Sequence, residues 1–411
     1  MDTRRSLSEI AGHGRFSRRS FLAGAAAAAS LAIVRPSAVR GAEANSKVEL
    51  GVVGCGGRGR WIADLFAQHG GYKVTALADY FPQAVDLAGE ALGVDQARRF
   101  SGLLGYRRLL ESKVDAVALE TPPWFFPEHA AAAVGAGCHV YLAKPVACDV
   151  PGCLTVAALG RKAAEKKRCF LVDFQTRTEP LFQEAIKRVH EGALGQIGLI
   201  VSCYQDDGFA DPPKTRTLES RLHSLIWCND DDLGGGYIVN CDVHAIDVAL
   251  WIAGQTPTSA MGSSRILRKD PHGDSADVYS VTYEFPGGFL LNHRSEHVNN
   301  QASCITCNAY GQGAFIETNY GGKTWLRGGR MAYRGGDVQN LYPEGAKRNI
   351  DTFHKSITQG LFDNPTVQPS VNSTLACILG REAARNNTRL TWDELLKANK
   401  RIELDLTGMV Q

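Results

Sequence analysis

The chain has 411 residues, a formal net charge of +2 and 44% hydrophobic residues, enough apolar material for two domains rather than one core. Residues 1–44 hold seven arginines against Asp2, Glu9 and Glu43, so the remaining body sits near −2, which excludes nucleic acid as a partner. Eleven cysteines, an odd number in so long a chain, exclude a disulfide framework and read as small buried hydrophobes.

Ser17-Arg18-Arg19-Ser20-Phe21-Leu22 opens the chain's first readable element. The weakly apolar run from Phe21 to Val34 is 14 residues, too short for a hydrocarbon core of about 30 Å, so no stable membrane span is expected. Ala42-Glu43-Ala44 follows with a small-x-small pattern. The stretch resembles a twin-arginine signal, which implies a periplasmic or otherwise exported protein that crosses the membrane already folded, with any cofactor inserted first.

Val48 to Val53 predicts a short buried strand, Gly54-Cys55-Gly56-Gly57-Arg58-Gly59 follows at once, and Trp61 to His69 has helical periodicity. In this strand–turn–helix context the glycines carry geometry. Gly54 allows the tight turn, Gly56 lets the backbone approach a pyrophosphate, and Gly59 lets helix and strand pack closely, while Gly57 and Arg58 complete the turn. The helix N-terminus offers free N–H groups to the phosphates. A second strand, Lys73 to Ala78, ends at Asp79, whose carboxylate can accept from both ribose hydroxyls and repels a 2′-phosphate. NAD is therefore the expected cofactor, with Arg58 and Arg60 leaving NADP open.

Tyr106 to Leu110 suits a short helix, and Val114 to Leu119 a buried strand that runs into Thr121-Pro122-Pro123. Glu128 to Ala136 is an alanine-rich helix closed by Gly137, and His139 to Leu142 a strand that runs into Ala143-Lys144-Pro145. Strands alternating with helices predict an α/β fold with a parallel, doubly wound sheet whose ligands sit beyond the strands' carboxyl ends. Gly54, Asp79, Thr121, Pro122 and Lys144 all fall at such ends.

The glycine turn, the Thr-Pro-Pro element, the strand into Lys-Pro, and Gly234-Gly235-Gly236 through His244 together resemble the Gfo/Idh/MocA oxidoreductases. The likeness covers residues 46–411. It implies a Rossmann domain over 45–174, an α/β domain with a large, mostly antiparallel sheet over 175–411, and a nicotinamide between them. It implies that Lys144 orients substrate and helps move a proton while hydride passes to or from the nicotinamide. Three positions depart from the family pattern. The glutamate before the lysine is Ala143, a histidine after Thr-Pro is Phe126, and the acid four residues before His244 is Asn240. Asp242 lies two residues from His244, off its face, so His244 is the clear acid/base candidate beside Lys144, and Asp247 one turn on ties down its helix.

Further substrate-side candidates are Gln175 and Arg177, which follow the strand Cys169 to Phe174, then Trp227, Asn229 and Tyr237 around the glycine run, and Asn240 and Asp242. His293, Arg294, Glu296 and His297 alternate along a strand, with Arg294 and Glu296 expected to look into the pocket. Cys304 and Cys307 would point to opposite faces of a strand, so no metal is expected there. Helical periods return from Ile350 to Gly360 and from Ser370 to Ala384, and Asp393 and Glu394 suit the start of a last helix.

Three functions fit these residues. The first is an NAD(P)-dependent oxidoreductase acting on a sugar, polyol or related secondary alcohol, with the cofactor retained. The second is a redox-neutral glycosidase or lyase working through a transient keto-sugar. The third is a catalytically weakened carbohydrate-binding relative. The exposed face of the second sheet is, by analogy, where a homo-oligomer would form.

Overall fold

The computed structural model describes residues 47–213 and 217–411; the twin-arginine stretch and the small-x-small site lie outside the described residues. The chain first builds β1 (Val48–Val53), α1 (Gly57–His69), β2 (Tyr72–Asp79), α2 (Pro82–Leu92), β3 (Arg99–Ser101) and α3 (Gly105–Glu111). It continues with β4 (Ala116–Leu119), α4 (Phe126–Ala136), β5 (His139–Ala143), α5 (Val150–Glu165) and β6 (Phe170–Asp173). The strands are short apolar runs buried on both faces, as a sheet covered by helices requires. Helix ends follow local chemistry. Gly70, Gly93 and Gly137 close α1, α2 and α4 in the left-handed region, and the Asp149 side chain accepts the Gly152 N–H at 2.7 Å to open α5.

All six strands pair in parallel in the order β3-β2-β1-β4-β5-β6. The direction of winding switches between β1 and β4, which opens a crevice above their carboxyl ends.

After α6 (Pro180–His190), a second sheet of nine strands runs β14-β13-β12-β11-β7-β10-β9-β8-β15. Its strands are β7 (Ile197–Asp206), β8 (Ser259–Arg265), β9 (Val278–Glu284), β10 (Leu290–His297), β11 (Cys304–Gly311), β12 (Phe315–Asn319), β13 (Lys323–Arg327), β14 (Tyr333–Asp337) and β15 (Leu390–Thr391). Only β7 and β10 pair in parallel, so the sheet is mostly antiparallel. Between β7 and β8 lie α7 (Gly236–Asn240) and α8 (Val243–Ala253), packed on the sheet's inner face; its outer face is exposed.

Two late helices tie the sheets together. α9 (Leu341–Gln359) returns to the first sheet, where Ala346, Ile350 and Phe353 are buried with Leu50, Phe66 and Tyr72. Ile350, Phe353, Leu50 and Phe66 each contribute about 1.5–3 kcal/mol by leaving water. α10 (Val367–Asn386) packs against α5 of the first half and α8 and β8 of the second. The last helix, α11 (Trp392–Ala398), opens on a capping box between Thr391 and Glu394. Among the described residues no helix is long and apolar enough to cross a membrane.

The glycine turn supplies a sharp packing test. A β-carbon on Gly59 would lie 1.8 Å from the Gly54 carbonyl oxygen, whereas one on Gly56 meets nothing within 4 Å. Alanine gains up to about 1 kcal/mol of helix propensity over glycine, but a backbone clash of this kind costs about 1–3 kcal/mol, so the clash wins. Gly59→Ala is expected to lower the urea midpoint clearly and Gly56→Ala to leave it within error; equal midpoints would contradict the packing described here.

Candidate functional site

The crevice above β1 and β4 is a cleft of about 330 Å³ lined by Gly54, Gly56, Gly57, Asp79, Thr121 and Pro122. Gly54 adopts φ +98°, and a β-carbon there would lie 2.6 Å from the Glu120 carbonyl carbon, so this turn requires glycine. The empty space over Gly56, with the uncapped start of α1 beside it, is a cradle of the shape and polarity a pyrophosphate needs. Asp79 accepts the Cys55 N–H at 2.7 Å and the Phe81 N–H at 2.9 Å, which fixes its carboxylate at the cleft edge. Burial raises its pKa, partly offset by those two bonds. These residues fit a dinucleotide: Gly54, Gly56 and Gly57 would hold its pyrophosphate and Asp79 its ribose.

Thr121 and Pro122 line the same cleft, and the Thr121 hydroxyl lies 3.2 Å from His129 Nδ1. Burial pushes the His129 imidazole down to about 4, so it is neutral near pH 7. His129 is one turn beyond Phe126 and returns an imidazole to the cleft wall, while Phe126 itself is core. From the second half, Trp227 and His223 close the cleft, with His223 stacked on Phe81 at 3.9 Å between ring centroids.

Arg58 does not serve the phosphates, a correction to the sequence reading. Its Nε lies 2.9 Å from Glu120 Oε2, its second arm pairs with Asp173, and it also donates to Tyr342. Two carboxylates at the ends of β4 and β6, both with side chains shut off from solvent, draw the guanidinium away from the cleft and under α9. Neither Glu120, Asp173 nor Tyr342 was singled out from the sequence. Glu120 and Asp173 were findable, because they fall at the same strand ends that mark Thr121 and Lys144; Tyr342 carries no such signal.

Lys144 and His244 meet in one buried region. The lysine Nζ donates to the Asn240 carbonyl at 2.7 Å, and burial lowers its pKa. His244, on the first turn of α8, is 6% exposed and lies edge-on to Phe174 and Tyr320. Burial, then Lys144, then Arg58 hold its pKa well below the usual range, so the imidazole is neutral. Its Nδ1 and the Nδ2 of Asn240 are buried without a protein partner. An unmet buried polar atom costs about 1–3 kcal/mol, so this pair is set for groups the protein does not supply.

Several substrate-side expectations are corrected. Asp242 faces the second sheet, where it accepts from His297 Nε2 at 2.8 Å and His293 Nε2 at 3.2 Å. Arg177 is spent on a two-pronged pair with Asp247, 2.7 and 2.9 Å, the contact that ties down α8. Gln175 is fully buried and donates to Asp173 at 3.0 Å. Arg294 and Glu296 lie on the outer side of β10, because the pleat turns His293, Ser295 and His297 inward. Asn229 and Tyr237 bond one another at 2.9 Å within the core, while Trp227 does reach the cleft.

Residues 48–174 match the profile described as an oxidoreductase family with an NAD-binding Rossmann fold, and residues 182–317 that of the GFO/IDH/MocA C-terminal domain. An inositol 2-dehydrogenase of Rhizobium meliloti is 24% identical over 57% of this chain and 64% of its own length. A 2,7-anhydro-N-acetylneuraminate hydratase of Escherichia coli is 26% identical over 59% of this chain and 60% of its own. The chain thus matches less than two thirds of the length of these relatives. The crystal structure of an aldose-aldose oxidoreductase from Caulobacter crescentus, complexed with glycerol, superposes with a TM-score of 0.67 at 21% identity, covering 84% of this chain and all of that one. With its first sheet matching the family's NAD-binding half and its second matching the C-terminal half, the chain belongs to the GFO/IDH/MocA oxidoreductase family.

Proposed function

We propose that this protein is an NAD-dependent oxidoreductase that takes a sugar, polyol or related secondary alcohol as substrate. One observation carries the reading: the Lys144 amine, just past the carboxyl end of β5, reaches the Asn240 carbonyl at 2.7 Å, and beside this contact Asn240 Nδ2 and His244 Nδ1 are buried without a protein partner. Bound NAD would supply the hydride acceptor. Asn240 Nδ2 donates to a substrate oxygen, neutral His244 Nδ1 accepts from a neighbouring hydroxyl, and Lys144 in its amine form takes the proton of the reacting hydroxyl. Burial favours that amine form. His244 is then an orienting group, with its imidazole too poor a base to hold the proton itself.

A redox-neutral cycle through a transient keto-sugar is the second reading. It is favoured by the Escherichia coli relative, a hydratase, and by the twin-arginine stretch, since outside the cytoplasm a retained cofactor has no free pool to exchange with. Self-association through the outer face of the second sheet, where Met261, Leu290 and Tyr310 are exposed, accompanies either reading.

Gly56→Val should abolish nucleotide retention while circular dichroism and thermal midpoint stay near wild type, because the side chain enters only the space reserved for pyrophosphate. Nucleotide released at native stoichiometry from denatured Gly56→Val would remove the dinucleotide reading.

For oxidation, Lys144 must be unprotonated, so the rate should rise with pH and level off above a pKa lying below 10.5; reduction of the ketone should show the opposite trend. Lys144→Met should lose about 10²–10⁴-fold in turnover and erase this limb, with nucleotide still bound. His244→Asn should keep the limb at its wild-type position. A limb that persists in Lys144→Met would assign the proton to another group.

Export is tested separately. Replacing Arg18 and Arg19 together by lysine should leave the protein in the cytoplasm, as read by cell fractionation with the unchanged leader as control. Unimpaired export would show that the pair is not a transport signal.

A further inference from the structure

Register defines a row of side chains beside the reacting lysine. Leu119 pairs with Leu142 and Ala143 with Asp173, so one step beyond Leu119 the residues Glu120, Ala143 and Asp173 stand abreast on three neighbouring strands. In a parallel sheet such neighbours point to the same face, here the face that α1 and α9 cover. In register Ala143 lies between the two acids, and the Arg58 guanidinium pairs with both. Lys144 is the next residue of the middle strand. Tyr141, two residues earlier, and Tyr342 of α9 also face Arg58, while Cys241 and Cys228 of the second half face Lys144.

The Glu120 carboxylate is the strained member. Its side chain has no exposure, and neither oxygen receives an aligned hydrogen bond despite the 2.9 Å approach of Arg58. Asp173, by contrast, accepts from Asn349 at 2.7 Å and Gln175 at 3.0 Å. Burial pushes Glu120 up to about 7, with Arg58 pulling the other way, Asp173 adding to the rise, and Lys144 lowering it slightly. Arg58 lowers the proton affinity of Lys144, so whatever neutralises Arg58 raises it.

We propose that Glu120 offsets the charge of Arg58 and thereby sets the pH at which Lys144 becomes a base, making it a positioning residue of the proposed hydride-transfer centre. The proposal rests on Lys144 being the proton acceptor. Glu120 belongs to the cleft wall, but its side chain has no exposure, so it acts through Arg58 rather than on the reacting atoms. It acts across one strand spacing, through the guanidinium it pairs with.

Two measurements test it on the full chain. In Glu120→Gln, with Asp173 left as the one carboxylate paired to Arg58, the acid limb of the oxidation profile should move down by about one unit, which is about a tenfold faster rate at a fixed pH below the limb. Adding Ala143→Glu to that variant returns a carboxylate to the row and should move the limb back up. Glu120→Asp, which keeps the charge, should leave the limb at its wild-type position and guards against misreading a folding defect. An unmoved limb in Glu120→Gln overturns the proposal.

The second readout needs no turnover. Because folding raises the Glu120 pKa from 4.5 to about 7, the folded state keeps a proton that the unfolded chain has released, and stability falls as pH rises through that window. The thermal midpoint of nucleotide-free wild type should therefore drop between pH 5 and pH 8 relative to Glu120→Gln. Divergent thermal curves without any alcohol oxidation in wild type would instead refute the redox reading while leaving the charge row standing.

Discussion

Arg58 is the interaction on which this architecture turns. It sits on the first turn of α1, directly after the glycine cradle, yet its guanidinium reaches the carboxyl ends of β4 and β6 and the phenol of Tyr342 on α9. Its ring neighbours Trp61 and Tyr342 stack on one another at 4.8 Å and cover part of it, leaving 22% of its side chain exposed. A buried ion pair gains little net stability, because desolvating the charges costs nearly what their attraction returns, but removing one partner costs about 3–5 kcal/mol. What the pair contributes is specificity. It ties the start of α1 to the carboxyl ends of β4 and β6 and to the returning helix α9.

A second buried charge fixes the other side of the site. Asp242 sits between His293 and His297, and His293 Nδ1 in turn accepts from the Ser202 hydroxyl at 2.8 Å. Burial opposes ionisation of Asp242, but the charge of His297 and the bonds from both rings outweigh it and hold its pKa down. This clamp pins the junction of α7 and α8 to the second sheet, and the Arg177–Asp247 pair pins α8 again one turn later. Asn240 and His244 are then held on either side of the clamp, with their unmet polar atoms left for a ligand. The site is thus suspended between two rigid ionic anchors, one in each sheet, while its own residues remain nearly free of protein partners.

How much of this was legible in the sequence depended on range. The glycine turn, Asp79, and the strands ending at Thr121 and Lys144 were readable because each role is set by a few neighbouring residues. The mostly antiparallel second sheet came from family likeness, since its strands carry no comparable local signature. Arg58 was misjudged because, in sequence, the phosphates are its nearest anionic partners, while the acids that capture it lie on β4 and β6. Arg294 and Glu296 were put on the wrong face because alternation reports which residues share a side, not which side is inward. For the same reason Asp242 could be seen to face away from His244 while its two histidine partners went unrecognised.

The return of α9 shapes how the protein is made. Tyr72 and Ile350, joined through the tyrosine hydroxyl, are 278 residues apart. A ribosome adding about 5–20 residues per second needs roughly a quarter of a minute to a minute for that stretch. Throughout this interval the apolar surface of α1 and β2 that awaits Ala346, Ile350 and Phe353 lies open, and Arg58 lacks Tyr342. The first sheet therefore lacks the helix that seals its core until residues 341–359 have been made, and a truncated N-terminal half would lack it throughout.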